Sequence, residues 1–116
     1  MEFEQLDGGP VTDIQRARMV AAMIDVVSER GRATATVADV VARSGVSRRT
    51  FYEVFADFED CFLAALDQAI ARASEYVLDD YSPREKWQSR IRAALAGLLE
   101  FLEDEPAMGR LCVIET

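Results

Sequence analysis

Apolar residues recur every three or four positions along most of the chain, which predicts an all-α protein. The first segment contains two glycines and a proline, so residues 1–11 are predicted to be a flexible arm. Thr12 and Gln15 have the spacing of a capping box, and they predict a first helix that ends near Arg30. The apolar face of this helix should cover the elements that follow, through Ile14, Ala17, Val20, Ala21, Ile24 and Val27.

Two short helices separated by a sharp turn are predicted next. Thr36 and Asp39 again have capping-box spacing, which predicts a helix over residues 37–44. Gly45 follows where a helix end favours a left-handed residue, a conformation that glycine adopts without steric cost. Val46 should enter the core just after the turn. This pattern of helix, tight turn and helix predicts a helix-turn-helix DNA-binding unit of residues 12–56.

The second short helix is predicted to present polar side chains on its outer face. Ser47 can cap it, while Phe51 and Phe55 recur at a spacing that directs both rings inward. Arginine can pair with guanine through two hydrogen bonds, and hydroxyl groups can bind phosphate oxygens. The residues predicted to contact DNA are Thr36, Ser47, Arg48, Arg49, Thr50 and Tyr52.

The segment from Thr36 to Leu66 resembles the TetR family of bacterial transcriptional regulators. The matching residues are Thr36, Asp39, Val40, Ser44, Gly45, Val46, Ser47, Thr50, Phe51, Tyr52 and Phe55. The resemblance implies a sequence-specific regulator, most often a ligand-responsive repressor, that binds a palindromic double-stranded DNA operator as a homodimer. It also implies a small apolar effector and no cofactor.

Three positions depart from the pattern of the family. The family usually has alanine at Val41, a phosphate-contacting histidine or tyrosine at Val54, and a basic residue at Phe58. The first difference should require only local repacking. The other two remove contacts to the DNA backbone, so weaker non-specific affinity is expected and the hydroxyl side chains should carry more of the phosphate binding.

Residues 57–116 are predicted to be the first part of a helical regulatory domain. Asp57 can cap a fourth helix that reaches almost to Tyr81, with an apolar face made of Phe62, Leu66, Ile70, Ala73 and Val77. A fifth helix is predicted to open with Ser82, Pro83 and Glu85, and a sixth to follow Pro106. The core face predicted for the fifth helix consists of Trp87, Ile91, Leu95, Leu98 and Leu102.

The sixth helix reaches the end of the chain without a capping signal, and the family usually continues with further helices. We therefore expect the chain to be the N-terminal portion of a longer regulator, whose homodimer forms through a segment absent here. An effector pocket is implied by the resemblance, although each candidate fits ordinary helix packing as well. The candidates are Tyr76, Trp87, Ile91, Leu95, Phe101 and Met108.

Charge is distributed unevenly along the chain. The whole sequence carries a net charge of −8, but residues 14–50 contain seven arginines against three acidic residues, a net charge of +4. Residues 51–116 contain six basic and fourteen acidic residues. Phosphate would repel the acidic part, so the segregation predicts that one end of the molecule approaches DNA.

Other features weigh against an enzyme or a membrane protein. The chain has no histidine, which removes the commonest general base and a frequent metal ligand, and it has no glycine-rich phosphate loop. Its two cysteines are far apart, and its longest apolar runs are too short to cross a membrane. We predict a cytoplasmic, non-enzymatic protein. Two alternatives stay open: a helical protein–protein adaptor, and an activator with the same DNA-binding head.

Overall fold

The computed structural model describes residues 2–79 and 86–114, with side chains from residue 12 onward within those ranges. The described residues contain six helices and no strand, which confirms the all-α fold class. The helices are α1 (Glu2–Arg30), α2 (Val37–Ser44), α3 (Arg48–Val54), α4 (Phe58–Asp79), α5 (Trp87–Asp104) and α6 (Pro106–Val113).

The chain forms two compact units, Met1–Ala65 and Leu66–Thr116. The first unit therefore extends into α4, whereas the sequence predicts a boundary at residue 57. Cys61 shows the physical reason, because its side chain is fully buried and its thiol donates to the carbonyl oxygen of Met19 at 3.9 Å. The first turns of α4 thus contribute to the core of the first unit.

Helix α1 begins at Glu2, and residues 2–11 are helical where the sequence predicts a flexible arm. Thr12 accordingly lies inside the helix and does not cap it. Once a helix exists, each added residue forms one more hydrogen bond, and a glycine costs only about 1 kcal/mol relative to alanine. The two glycines of this segment therefore do not prevent it from extending α1.

The buried face of α1 is shifted from the predicted one. Ile14 is 60% exposed, and Ala17 and Ala21 are also exposed. The residues that enter the core follow helical spacing from Met19 onward, and α1 packs against both short helices, α2 and α3. They are Met19, Val20, Ala22, Met23, Ile24, Val26 and Val27.

The second unit buries fewer of its large apolar residues. Phe101 and Leu111 are enclosed, but the predicted core face of α5 is largely exposed, with Trp87 at 59%. Helices α4 and α5 approach closely at Gly97, because a Cβ there would clash with the carbonyl oxygen of Tyr76. The predicted cap of α5 at Ser82, Pro83 and Glu85 lies outside the described residues, as does Tyr81. Lys86 precedes α5 without a side-chain cap.

Candidate nucleic-acid interface

The start of α2 is held by a reciprocal capping box. The Asp39 amide donates to Thr36 Oγ1 at 3.2 Å, and the Thr36 amide donates to Asp39 Oδ2 at 3.0 Å. The Thr36 hydroxyl also donates to Asp39 Oδ2 at 3.0 Å. These bonds satisfy amide groups that a helix N-terminus otherwise leaves without partners. Thr36 is exposed, but the hydrogen bonds fix its conformation.

The turn after α2 depends on a left-handed glycine. Gly45 has φ of +75°, and its amide donates to the Val41 carbonyl at 3.0 Å. Ser44 is buried and donates to the same carbonyl, while its hydroxyl accepts from the Val46 amide at 3.2 Å. With Val46 in the core, this turn sets the direction in which α3 leaves, as the sequence predicts.

Helix α3 is capped at its start and anchored by an aromatic side chain. The Thr50 amide donates to Ser47 Oγ at 3.1 Å, and the Ser47 hydroxyl donates to Thr50 Oγ1 at 3.0 Å. Phe51 is fully buried, and its ring lies 5.6 Å from the ring of Phe55. The Tyr52 ring meets the edge of Phe51 at 5.1 Å and 80°. This packing fixes which side of α3 faces outward.

The outward side of α3 carries two exposed arginines. Arg48 is exposed and has no carboxylate partner within the described residues, and the Arg49 side chain is 89% exposed. Arg49 lies 3.3 Å from Glu53 one helical turn later. An exposed pair of this kind contributes only about 0.3–0.5 kcal/mol. Both guanidinium groups are therefore accessible at little cost to a partner with acceptor groups.

The structure brings five of the six predicted DNA-contact residues together. Ser47, Arg48, Arg49, Thr50 and Tyr52 lie on α3 or at its cap, and Tyr52 is half exposed. The sixth, Thr36, lies separately at the N-terminus of α2. Their contact with DNA stays a prediction.

The two departures that replace a phosphate-contacting or basic residue of the family pattern, Val54 and Phe58, contribute to packing. Val54 is half-buried. Phe58 is also half-buried, and its ring stacks on Phe62 with centroids 6.5 Å apart. Neither position presents a polar group to a phosphate.

The structure also shows which arginines in residues 14–50 are engaged in ion pairs, which the sequence did not predict. Arg30 pairs with Asp39 at 2.8 Å, and Arg43 pairs with Glu29 at 2.5 Å and with Asp25 at 3.6 Å. A further pair joins Arg32 to Glu59, and the Arg32 guanidinium lies 4.4 Å from the ring centroid of Phe62. Much of the positive charge in this segment is thus neutralised within the first unit.

The predicted effector-pocket residues do not form a single apolar cavity within the described residues. Tyr76 and Phe101 are in contact, with ring centroids 5.7 Å apart, and the Tyr76 hydroxyl donates to Asp104 at 3.2 Å. Partial burial and this hydrogen bond raise the pKa of the Tyr76 hydroxyl. Tyr76 borders an open depression of about 280 Å³ with a polar lining, formed by Arg72, Glu75, Tyr76, Asp79 and Glu100.

The remaining pocket candidates lie elsewhere in the second unit. Trp87 and Ile91 border a separate shallow groove with Arg90 and Ala94, Leu95 is exposed, and Met108 is half-buried. A more apolar groove of about 360 Å³ was not predicted as a pocket, although part of its lining belongs to the predicted apolar face of the fourth helix. It is lined by Ile70, Ala73, Ser74, Val77, Leu78 and Cys112.

The described ranges contain neither a metal-binding cluster nor a membrane-spanning helix. No group of three or more cysteine or acidic residues there is arranged to hold a metal ion. No helix in that part of the chain is both long and apolar enough to cross a membrane. Neither cysteine forms a disulfide within those ranges, and burial raises the pKa of the Cys61 thiol to about 12, although Arg16 opposes the shift.

Most of the first unit is similar to a known protein family. Residues 20–65 match the family described as bacterial regulatory proteins, tetR family. The fold is similar to the crystal structure of a TetR-like transcriptional regulator from Rhodococcus sp. RHA1, with a TM-score of 0.79 and 21% sequence identity. That match covers 84% of this chain and 54% of the Rhodococcus chain, so this chain spans about half the length of the other. No curated protein matches the chain.

Proposed function

Because residues 20–65 match the tetR family of bacterial regulatory proteins, we propose that the chain is a TetR-type, sequence-specific DNA-binding transcriptional regulator. One observation carries the proposal: the capped and anchored helix α3 presents exposed Arg48 and Arg49 on a single outward side. In helix-turn-helix proteins the second helix enters the major groove and its N-terminal residues contact base edges. The exposed arginines of α3 occupy the corresponding positions.

The two arginines have the chemistry to read bases. A guanidinium group can donate two hydrogen bonds to the O6 and N7 atoms of guanine, and a good bidentate pair contributes about 1–3 kcal/mol of discrimination. Arg48 is not held by a carboxylate of the described residues, and Arg49 has only the exposed contact with Glu53. We assign sequence selectivity to these two side chains.

The hydroxyl groups differ in what they can offer a phosphate. The hydroxyl oxygens of Ser47 and Thr50 lie 3.0 Å apart, and a single hydrogen bond between them uses only one of the two protons, so the other proton is available to an outside acceptor. Thr36 directs its proton to Asp39 and would have to break that bond in order to donate to a phosphate. The Ser47–Thr50 pair is therefore a stronger phosphate donor than Thr36.

A ligand-responsive repressor is the finer form of the proposal. In that form a homodimer presents two α3 helices to successive major grooves of a palindromic operator, about 34–36 Å apart, and a small molecule changes this spacing. The match of residues 20–65 to the tetR family supports this form, and the open grooves of the second unit are compatible with it. An activator would use the same α3 surface, and a helical adaptor would not need it.

Selection from a randomised DNA duplex library, followed by fluorescence anisotropy with the selected and a scrambled duplex, tests the proposal. We expect one enriched motif, and we expect the Arg48→Ala/Arg49→Ala variant to lose roughly thirtyfold or more of its preference for that motif. The matched control is Arg92→Ala/Arg110→Ala, which removes the same charge from exposed positions of α5 and α6. The proposal fails if a folded sample enriches no motif, or if the α3 variant binds like the control.

A further inference from the structure

The seven arginines of residues 14–50 fall into two groups. Four make ion pairs with carboxylates: Arg30, Arg32, Arg43 and Arg49. The other three have no carboxylate partner within the described residues: Arg16, Arg18 and Arg48. Arg48 belongs to the surface of α3 already described. Arg16 and Arg18 come from α1 and need a separate explanation.

The two α1 arginines reach opposite ends of α3. Arg18 Nη2 lies 3.1 Å from the position that a Cβ on Gly45 would take, in the turn immediately before α3. The Arg16 guanidinium lies 5.4 Å from the ring centroid of Phe55, the residue that ends α3. Residues two apart on a helix project to nearly opposite sides, so neighbouring positions of α1 can supply both ends.

The two guanidinium groups therefore flank α3, and both side chains are exposed. A group at either end of the helix that enters the major groove lies where a neighbouring phosphate can approach it. Resting on the proposed function, we propose that Arg16 and Arg18 bind DNA phosphate groups beside the two ends of α3. These two contacts with the DNA backbone would add to those of the six residues predicted from the sequence.

Their lack of carboxylate partners favours this role over the other arginines of the segment. Arg43 would have to leave Glu29 and Asp25 in order to reach a phosphate, and Arg30 would have to leave Asp39. Arg16 and Arg18 give up no ion pair. They also supply charge to a head in which Val54 and Phe58 offer no phosphate contact.

Salt dependence tests this pair separately from sequence selectivity. Each phosphate contact contributes about −0.9 to the slope of log K against log salt concentration, and phosphate contacts carry no direct sequence information. With a mixed-sequence duplex and the full 116-residue chain, we expect Arg16→Gln/Arg18→Gln to make the slope shallower by about two per chain. The variant would then lose roughly tenfold less affinity than the wild type between 50 and 200 mM salt. The preference for the selected motif should stay unchanged.

Two further variants keep the result interpretable. Arg30→Gln/Arg43→Gln removes the same charge from ion-paired positions and should change the slope much less. Arg16→Lys/Arg18→Lys keeps the charge and should restore the wild-type slope, and circular dichroism checks the folding of every variant. An unchanged slope in the glutamine variant, or an equal change in the ion-pair control, overturns the inference. The proposed function fails on different data, because it requires the wild-type chain to enrich a motif.

Discussion

The two units of the chain use similar apolar patterns with different results. In Met1–Ala65 the large side chains Met19, Met23 and Phe51 are fully buried. In Leu66–Thr116 only two large side chains of α5 and α6 are similarly enclosed, and the helices expose Ile91, Leu95, Leu98, Leu99, Val113 and others. Periodicity identifies the apolar face of a helix, but burial requires other elements of sufficient number and length to cover that face.

The two units also differ in how their helices begin. At the starts of α2, α3 and α4 a backbone amide donates a hydrogen bond to a side-chain oxygen. The accepting residues are Thr36, Ser47 and Asp57. Helices α5 and α6 start without a side-chain cap hydrogen bond. Local signals therefore specify the helix-turn-helix head more closely than the helices after it.

The largest expected difference between the units comes from removing a core side chain. Phe51→Ala should lower the free energy of unfolding by about 3–5 kcal/mol, because it leaves a cavity under α3. Leu95→Ala, at an exposed position of α5, should change it by less than about 0.5 kcal/mol. Urea denaturation followed by circular dichroism measures both values. Similar losses in the two variants would show that the α5 face is covered in solution and would remove the contrast.

A second comparison concerns the turn that directs α3. Gly45→Ala should cost about 1–2 kcal/mol from the left-handed backbone alone, and the new Cβ would also meet the guanidinium of Arg18 at 3.1 Å. Gly31→Ala is the matched control, because Gly31 has φ of +82° but nothing within 4 Å of a Cβ. The difference between their thermal unfolding midpoints isolates the contact with Arg18. Equal shifts would place the Arg18 side chain away from the turn.

The smallest expected effect concerns helix capping. Ser47→Ala should destabilise the first unit by about 1 kcal/mol, because the Thr50 amide loses its acceptor. Lys86→Ala should have almost no effect, because Lys86 precedes α5 without making a capping bond. Chemical denaturation of the two variants provides the measurement. Equal stability of Ser47→Ala and the wild type would mean that water replaces the cap without cost.

Local features of the first unit could be predicted residue by residue. Helix α2 spans the predicted residues 37–44, Thr36 and Asp39 form the predicted capping box, and Gly45 has the predicted left-handed conformation. These features depend on side chains within a few positions of the backbone groups that they satisfy. A single sequence contains that information.

Contacts between distant residues could not be predicted in the same way. Arg16 and Arg18 look equivalent to Arg30 and Arg43 in the sequence, yet only the latter two meet carboxylates. Apolar spacing also predicts that Ile14 of α1 and the apolar face of α5 enter the core, and both predictions are wrong. Each of these outcomes depends on which helix arrives beside a side chain.

The sequence by itself determined the bounds of α2, the capped turn between α2 and α3, and the outward placement of Arg48 and Arg49. The physical reason is that caps, left-handed glycines and apolar spacing act over only a few residues. Tertiary structure alone decided that Cys61 joins the core of the first unit, which arginines are neutralised, and that Arg16 and Arg18 reach opposite ends of α3. Burial and ion pairing are properties of residues brought together from distant parts of the chain, so they depend on the packing of whole helices.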